Sequence, residues 1–130
     1  MEKIRLEAIA KQKKHILVID DDIRMLKSLK EQLHDTYEVA TALNGKLALK
    51  FLETKEIDLI LLDYEMPDEN GPEVLTKIRE NNKLASIPVL FLTGVTEREK
   101  IQNALSMKPQ GYLLKPIDHE KLLDTIKEFL

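Results

Sequence analysis

The sequence contains no cysteine among its 130 residues, and only 5% of its residues are aromatic. Without cysteine the chain has no disulfide, no zinc-thiolate site and no redox chemistry at sulfur. Its apolar runs are at most five residues long, whereas a transmembrane helix needs roughly 20. The basic N-terminus is not followed by an apolar core, so it does not have the form of a secretory signal. These absences favour a soluble protein of the cytoplasm.

An excess of positive charge is also missing. The formal net charge is -3, which gives no electrostatic reason to expect direct nucleic-acid binding. Hydrophobic residues make up 43% and charged residues 33%, an ordinary balance for a soluble domain. A chain of this length fits one domain with one hydrophobic core.

The first 14 residues differ in composition from the rest. Against two glutamates they carry five basic residues, Lys3, Arg5, Lys11, Lys13 and Lys14. We therefore predict a basic N-terminal arm or helix over 1–14 and a folded domain over 15–130. The arm is either a solvated tail or a docking element.

From residue 15 onward, short apolar runs alternate with helical patterns. The predicted strands are 16–19, 37–40, 57–62, 89–92 and 112–114. The first, third and fourth runs are continuous, as in parallel strands that are covered on both faces. Apolar residues between and after them recur every three or four positions, which predicts five helices. The alternation predicts a doubly wound α/β sheet.

Four of the five predicted strands end in chemically useful residues. Three acids, Asp20 to Asp22, follow the first, Asp63 the third, Thr93 the fourth and Lys115 the fifth. In such sheets ligands bind beyond the carboxyl ends of the strands. Clustered carboxylates suit Mg²⁺, and one carboxylate can act as a nucleophile that forms an aspartyl phosphate. A lysine and a hydroxyl would then stabilise the transferred phosphoryl group.

Four stretches together resemble the receiver domain of bacterial two-component response regulators. They are ILVIDD at 16–21, LLDYEMP at 61–67, FLTG at 91–94 and GYLLKP at 111–116. The resemblance covers about 14–130 and implies a (βα)5 flavodoxin-like sandwich, in which five parallel strands have the order 2-1-3-4-5. Chemotaxis receivers are among the proteins that have this fold.

The resemblance also implies a role for Asp63 and its metal. Asp63 would be the phospho-acceptor, with a histidine kinase or a phosphotransfer protein as donor. Mg²⁺ would be the cofactor, bound by Asp63, by Asp21 directly and by Asp20 largely through water. Glu65 would contribute its backbone carbonyl. A third acid, Asp22, leaves open a shift of the acidic pair by one residue.

Three further residues take roles from the same resemblance. Thr93 would be the switch hydroxyl that binds a phosphoryl oxygen, and Tyr112 the switch aromatic. Lys115 would contact the phosphoryl group, and a cis Lys115–Pro116 bond is expected. The segment 106–110 departs from the family pattern, which leaves the geometry around the fourth helix open.

The expected function is a signalling switch and not a conventional enzyme, with self-catalysed phosphorylation and dephosphorylation. We expect no output domain after the last predicted helix, so that phosphorylation would alter binding of a protein target. The alternative is that the chain is one domain of a longer protein. The target would bind the face formed by the fourth predicted helix, the fifth strand and the fifth predicted helix, on a monomer or a phosphorylation-dependent dimer.

Two alternatives to this function are a phosphatase of the haloacid-dehalogenase type and a degenerate receiver that acts only as a scaffold. We expect His15, His34 and His119 to be surface or edge residues.

Overall fold

The computed structural model describes residues 13–94 and 110–130. Within these residues the elements follow one another as β1 (His15–Ile19), α1 (Ile23–Leu33), β2 (Glu38–Ala42), α2 (Gly45–Leu52), β3 (Leu59–Asp63), α3 (Gly71–Glu80), β4 (Val89–Thr93), β5 (Gly111–Leu114) and α4 (His119–Phe129). The predicted helix around Ile101 and Leu105, and the arm up to residue 12, lie outside the described residues.

The five strands form one parallel sheet in the order β2-β1-β3-β4-β5, which confirms the predicted fold. The strand order reverses between β1 and β3, since β2 lies on one side of β1 and the later strands on the other. Ligand sites in open sheets occur at this point of reversal. The carboxyl ends of β1, β3 and β4 therefore lie side by side at the place where a site is expected.

Helices cover both faces of the sheet, and this explains the continuous apolar strands. Every residue of β3 and β4 is buried, and so are the last four residues of β1. On one face the core includes Ala48 and Leu52 of α2 with residues of α3. On the other face it includes residues of α1 and α4. With both faces covered, no strand position in the centre of the sheet is left for a polar side chain until the strand ends.

A side-chain cap begins each of the four described helices. The carboxylate or amide oxygens of Asp22, Asn44, Asn70 and Asp118 accept a hydrogen bond from a backbone N–H in the first turn. Such caps satisfy amides that have no partner within the helix. No helix in the described ranges is long and apolar enough to cross a bilayer.

Two strand boundaries differ from the sequence-based prediction by two residues, and the others by at most one. β2 ends at Ala42, two residues later than predicted, because 38–42 pair in register with all of β1. β3 begins at Leu59 and not at residue 57, because its pairing with β1 begins with Leu59 opposite Ile16. Periodicity does not detect such pairing, since it reports burial and not hydrogen bonding.

Candidate functional site

The carboxyl ends of three strands bring Asp20, Asp63 and Lys115 into direct contact. Asp63 is the last residue of β3, Asp20 follows β1 and Lys115 follows β5. The Lys115 Nζ lies 2.9 Å from Asp20 Oδ2 and 3.1 Å from Asp63 Oδ1. The side chains of Asp20 and Asp63 are only 1% and 7% exposed, so water does little to stabilise their charges. One lysine therefore bridges two buried acids.

Asp21 completes an acidic cluster with Asp20 and Asp63. One carboxylate oxygen of each residue can be chosen so that all three lie within 4.8 Å of one another. Asp21 is exposed whereas the other two are buried, so the cluster opens to solvent on the Asp21 side. The described residues hold no other such group of three potential metal ligands.

The electrostatics of the cluster are unbalanced without a further cation. Burial and the negative charge of Asp20 raise the pKa of Asp63 to about 7, although Lys115 acts to lower it. For Lys115, partial burial opposes the charged form, but hydrogen bonds and charge from Asp20 and Asp63 outweigh it and raise the pKa. Two buried carboxylates facing one ammonium leave a net negative site, and this is what a divalent cation would neutralise.

The hydrogen bonds of Asp20 give the two acids at the end of β1 different positions. Asp20 Oδ1 accepts from the backbone N–H of Asp22 at 2.9 Å, and Oδ2 accepts from Lys115. Both oxygens of Asp20 are thus engaged within the protein. Asp21 and Asp63 are better placed to offer an oxygen to an ion, which fits the division of roles that the resemblance implies.

Asp22 lies outside this cluster. Its Oδ1 accepts from the backbone N–H of Arg24 at 2.9 Å and so caps α1. That bond and the Arg24 guanidinium hold the pKa of the Asp22 carboxyl below its usual range. The geometry therefore favours Asp20 and Asp21 as the acidic pair, without the one-residue shift.

Of the remaining candidate residues, Thr93 and Glu65 lie at the same edge of the sheet, and Tyr112 lies within β5 opposite Phe91. Thr93 is buried as the last residue of β4, and its carbonyl accepts from the backbone N–H of Lys115 at 2.8 Å. Tyr112 is in β5 and 39% of its surface is exposed. Glu65 is exposed in the loop that follows Asp63. The Lys115–Pro116 bond is cis, as expected.

The loop after Asp63 depends on a glycine at its far end. Gly71 donates to the Tyr64 carbonyl at 2.9 Å and closes the loop formed by residues 64–70, which we call the acceptor loop. A Cβ at Gly71 would lie 2.5 Å from the Asp63 carbonyl oxygen and 2.9 Å from the Phe91 ring. Such distances exclude any larger residue unless the backbone moves. Tyr64 packs edge-on against Phe91, with ring centroids 5.4 Å apart.

One charged contact next to this site was not predicted from the sequence. Glu69, in the acceptor loop, forms an ion pair with Lys77 of α3. The eight-residue separation is longer than the three- or four-residue spacing of helical ion pairs, so no local pattern indicates it.

The oxygen donors of this cluster suit the binding of Mg²⁺. Mg²⁺ takes hard oxygen ligands, keeps several waters and is commonly bound by one or two carboxylates plus phosphate oxygens. Asp21 and Asp63 would supply those carboxylates, and the exposed side at Asp21 leaves room for water. The soft or nitrogen donors that favour zinc or copper are absent from this cluster.

Comparisons with known proteins agree with this geometry. The sequence model of the family described as the response regulator receiver domain matches residues 16–127. The chain is 33% identical to the chemotaxis protein CheY-3 of Vibrio cholerae, over 96% of this chain and 100% of that protein. It is 38% identical to the transcriptional regulatory protein CrdR of Helicobacter pylori, over 89% of this chain, but spans only 54% of that regulator. A solved structure of Vibrio cholerae chemotaxis protein CheY4 matches with a TM-score of 0.85 and 33% identity, covering 91% of this chain and 99% of that one.

Proposed function

The chain belongs to the response regulator receiver domain family of two-component signalling systems, and from that premise we propose that Asp63 is its phosphoryl acceptor. Family membership removes the haloacid-dehalogenase-type phosphatase as an alternative. The degenerate scaffold differs from a working receiver only in lacking phosphorylation. We propose that the receiver domain comprises 15–130, with 1–14 as a separate arm.

The observation that carries the proposal is the position of Asp63. It is a buried carboxylate with an ammonium 3.1 Å from one oxygen and two further acids beside it. A purely structural ion pair would need one acid for the lysine. The second acid and the exposed Asp21 add negative charge that costs free energy unless a ligand is bound.

The proposed reaction transfers a phosphoryl group from a phosphohistidine to Asp63. A carboxylate oxygen of Asp63 attacks phosphorus, the P–N bond breaks and the imidazole leaves with the electron pair. Lys115 and the Thr93 hydroxyl would stabilise the charge on the equatorial phosphoryl oxygens. Dephosphorylation is the attack of water on the same phosphorus, which releases phosphate and restores the Asp63 carboxylate.

Mg²⁺ is the proposed cofactor, bound by Asp21, Asp63 and the Glu65 carbonyl, with Asp20 acting largely through water. When bound, the ion neutralises negative charge on the acids and on the incoming phosphoryl oxygens. Asp20 meanwhile holds Lys115 at 2.9 Å, which keeps the ammonium beside Asp63.

We further propose that phosphorylation changes the affinity for a protein target. Thr93 and Tyr112 lie on neighbouring strands, β4 and β5, where a shift of one can move the other. The exposed side chains of Tyr112 and Leu114 make β5 part of the proposed binding face, together with α4 and the predicted fourth helix. A target can shift the equilibrium between two states only by its difference in affinity for them. Phosphorylation-dependent dimerisation is the other outcome open to the same face.

The proposal is tested by incubating the protein with Mg²⁺ and a small phosphodonor such as acetyl phosphate. Intact-mass spectrometry should detect one base-labile phosphoryl adduct on the wild type, and none on Asp63→Asn. Chelation of Mg²⁺ should abolish the adduct. No adduct on the wild type would favour the scaffold, and an equal adduct on Asp63→Asn would place the acceptor elsewhere.

A further inference from the structure

A charged contact outside the proposed catalytic set joins the acceptor loop to two helices. Glu69 uses its two carboxylate oxygens differently. Oε2 pairs with the Lys77 ammonium of α3, and Oε1 lies against Gly45, at the start of α2, so closely that a Cβ there would overlap it. The Glu69 side chain is 21% exposed, much less than a typical surface glutamate. Residue 69 therefore lies close to the start of α2 and is paired with α3.

Other contacts also position the acceptor loop, among them the packing of the buried Met66 side chain in the core. The ends of the loop are tied by the N–H of Tyr64 to the Leu92 carbonyl and by Gly71 to the Tyr64 carbonyl. Between them, Asp68 has a φ of 69°, a left-handed conformation that an aspartate tolerates better than most residues. The Glu69 N–H bonds the Pro67 carbonyl, only two residues away. The Glu69 contact therefore adds a side-chain attachment to α3 on the C-terminal side of Met66.

The charges around the loop favour this arrangement. Glu69 lies near the N-terminus of α2, where a negative charge is stabilised. The hydrogen bond and charge of Glu69 raise the pKa of Lys77. The pair borders a groove of about 750 Å³ between α2 and α3, which is also lined by Lys46 and Lys50. Of the lysines that line the groove, Lys77 is the one that pairs with Glu69, and it belongs to α3.

We propose that Glu69 and Lys77 are a positioning pair, which holds the acceptor loop in the geometry that binds Mg²⁺. The inference rests on the proposed function, because the Glu65 carbonyl becomes a metal ligand only if Asp63 is the acceptor. The pair contacts neither the metal nor the phosphoryl group. It acts by restricting 65–69, so that the loop does not have to be ordered when the ion binds.

The test is Mg²⁺ affinity by isothermal titration calorimetry, together with amide hydrogen exchange of 64–70. Lys77→Met and Glu69→Gln should each weaken Mg²⁺ binding by about 3- to 10-fold, the range between an exposed ion pair and a strong outer-shell contact. The double variant should bind like either single one, because both remove the same interaction. Exchange in the loop should accelerate by a similar factor.

Lys77→Arg should restore both affinity and protection, and Lys50→Gln is the matched control, since Lys50 borders the same groove. Unchanged affinity and exchange in Lys77→Met, with a wild type that binds Mg²⁺, would overturn the positioning pair alone. A wild type that binds no Mg²⁺ would overturn the proposed function as well. Loss of affinity that follows a lower urea midpoint in every variant, including Lys50→Gln, would show a general loss of stability and contradict the inference.

Discussion

The parallel strands begin at one edge of the sheet, the amino edge, and end at the opposite edge, the carboxyl edge. These two edges use polar residues in opposite ways. At the amino edge they serve the backbone: the Arg79 guanidinium donates to the carbonyls of Ala85 and Ile87 and to Gln110 Oε1. Gln110 Oε1 in turn accepts from the Val89 N–H at 2.6 Å. At the carboxyl edge the charged residues face one another, with Lys115 between Asp20 and Asp63.

This difference shows that the uncompensated negative charge of the two regions lies at the carboxyl edge. Arg79 is one cation shared among neutral acceptors, and burial lowers its pKa. Such a group stabilises a loop and requires no ligand. Buried acids that outnumber their lysine form a site that is stabilised by binding a cation. One edge of the sheet thus carries polar residues that stabilise a loop, and the other carries charges that favour the binding of a cation.

The largest expected effect comes from removing the cation at each edge in turn. Lys115→Met should slow phosphorylation of Asp63 about 100-fold, because a preorganised charge beside the phosphoryl oxygens is lost. The measurement is the rate of adduct formation with a phosphodonor and saturating Mg²⁺.

Arg79→Met is the matched variant at the other edge. It should lower the free energy of unfolding by about 2 kcal/mol, since several carbonyls lose a donor, but leave the phosphorylation rate within about two-fold. Circular dichroism in urea gives the first quantity. If both variants slowed phosphorylation equally, the division between the edges would be wrong.

A second expected effect concerns pH, and its sign follows from the pKa of Asp63. The folded value of about 7 lies above the ordinary value of 3.8, so the folded state holds the proton more tightly. Stability contributed by this group is present at low pH and is lost as pH rises from about 4 through 7. Without Mg²⁺, Asp63→Asn should therefore be more stable than the wild type at alkaline pH, by at least about 1 kcal/mol.

Urea denaturation of both proteins with a chelator, at mildly acidic and at alkaline pH, measures this difference. The advantage of Asp63→Asn should shrink in acid, where Asp63 is protonated, and again when Mg²⁺ is added. A wild type that stays the more stable protein at alkaline pH without Mg²⁺ would contradict the picture of an overcharged edge.

A third prediction separates neighbouring acids within the carboxyl edge. Asp22→Ala removes the cap of α1 and should cost about 1 kcal/mol of stability. It should change Mg²⁺ affinity by less than about two-fold, because Asp22 lies outside the cluster. Asp21→Ala should do the reverse, with affinity lowered at least about 10-fold and stability almost unchanged. Calorimetry and urea denaturation of the two variants measure both quantities, and a loss of Mg²⁺ affinity in Asp22→Ala would restore the shifted acidic pair.

Much of the fold could be predicted because burial leaves a direct trace in the sequence. Central strands covered on both faces must be continuously apolar, and amphipathic helices repeat their apolar residues every three or four positions. Edge strand β2 is less regular in burial, and there the prediction ended the strand two residues early. Pairing with β1, and not hydrophobicity, determines its end at Ala42.

The candidate site was predictable to the extent that strand ends converge. Asp20, Asp63 and Lys115 were expected at one edge, and they are in contact there. The contacts made by Asp22, Glu69, Arg79 and Gln110 were not predictable in the same way. Each depends on where a loop passes or on which backbone group lies nearby, and a single sequence carries no periodic signal for either.

The layered α/β architecture and the edge at which charged residues gather follow from the pattern of apolar and polar residues along the chain, and the strand order follows from the family resemblance. The contacts that each of those charged residues makes could be seen only in the folded structure. It showed one lysine between two buried acids, made Asp22 a cap and placed Glu69 between two helices. The physical reason is that apolar burial is encoded along the chain, whereas the environment of a charge is made by groups from distant segments.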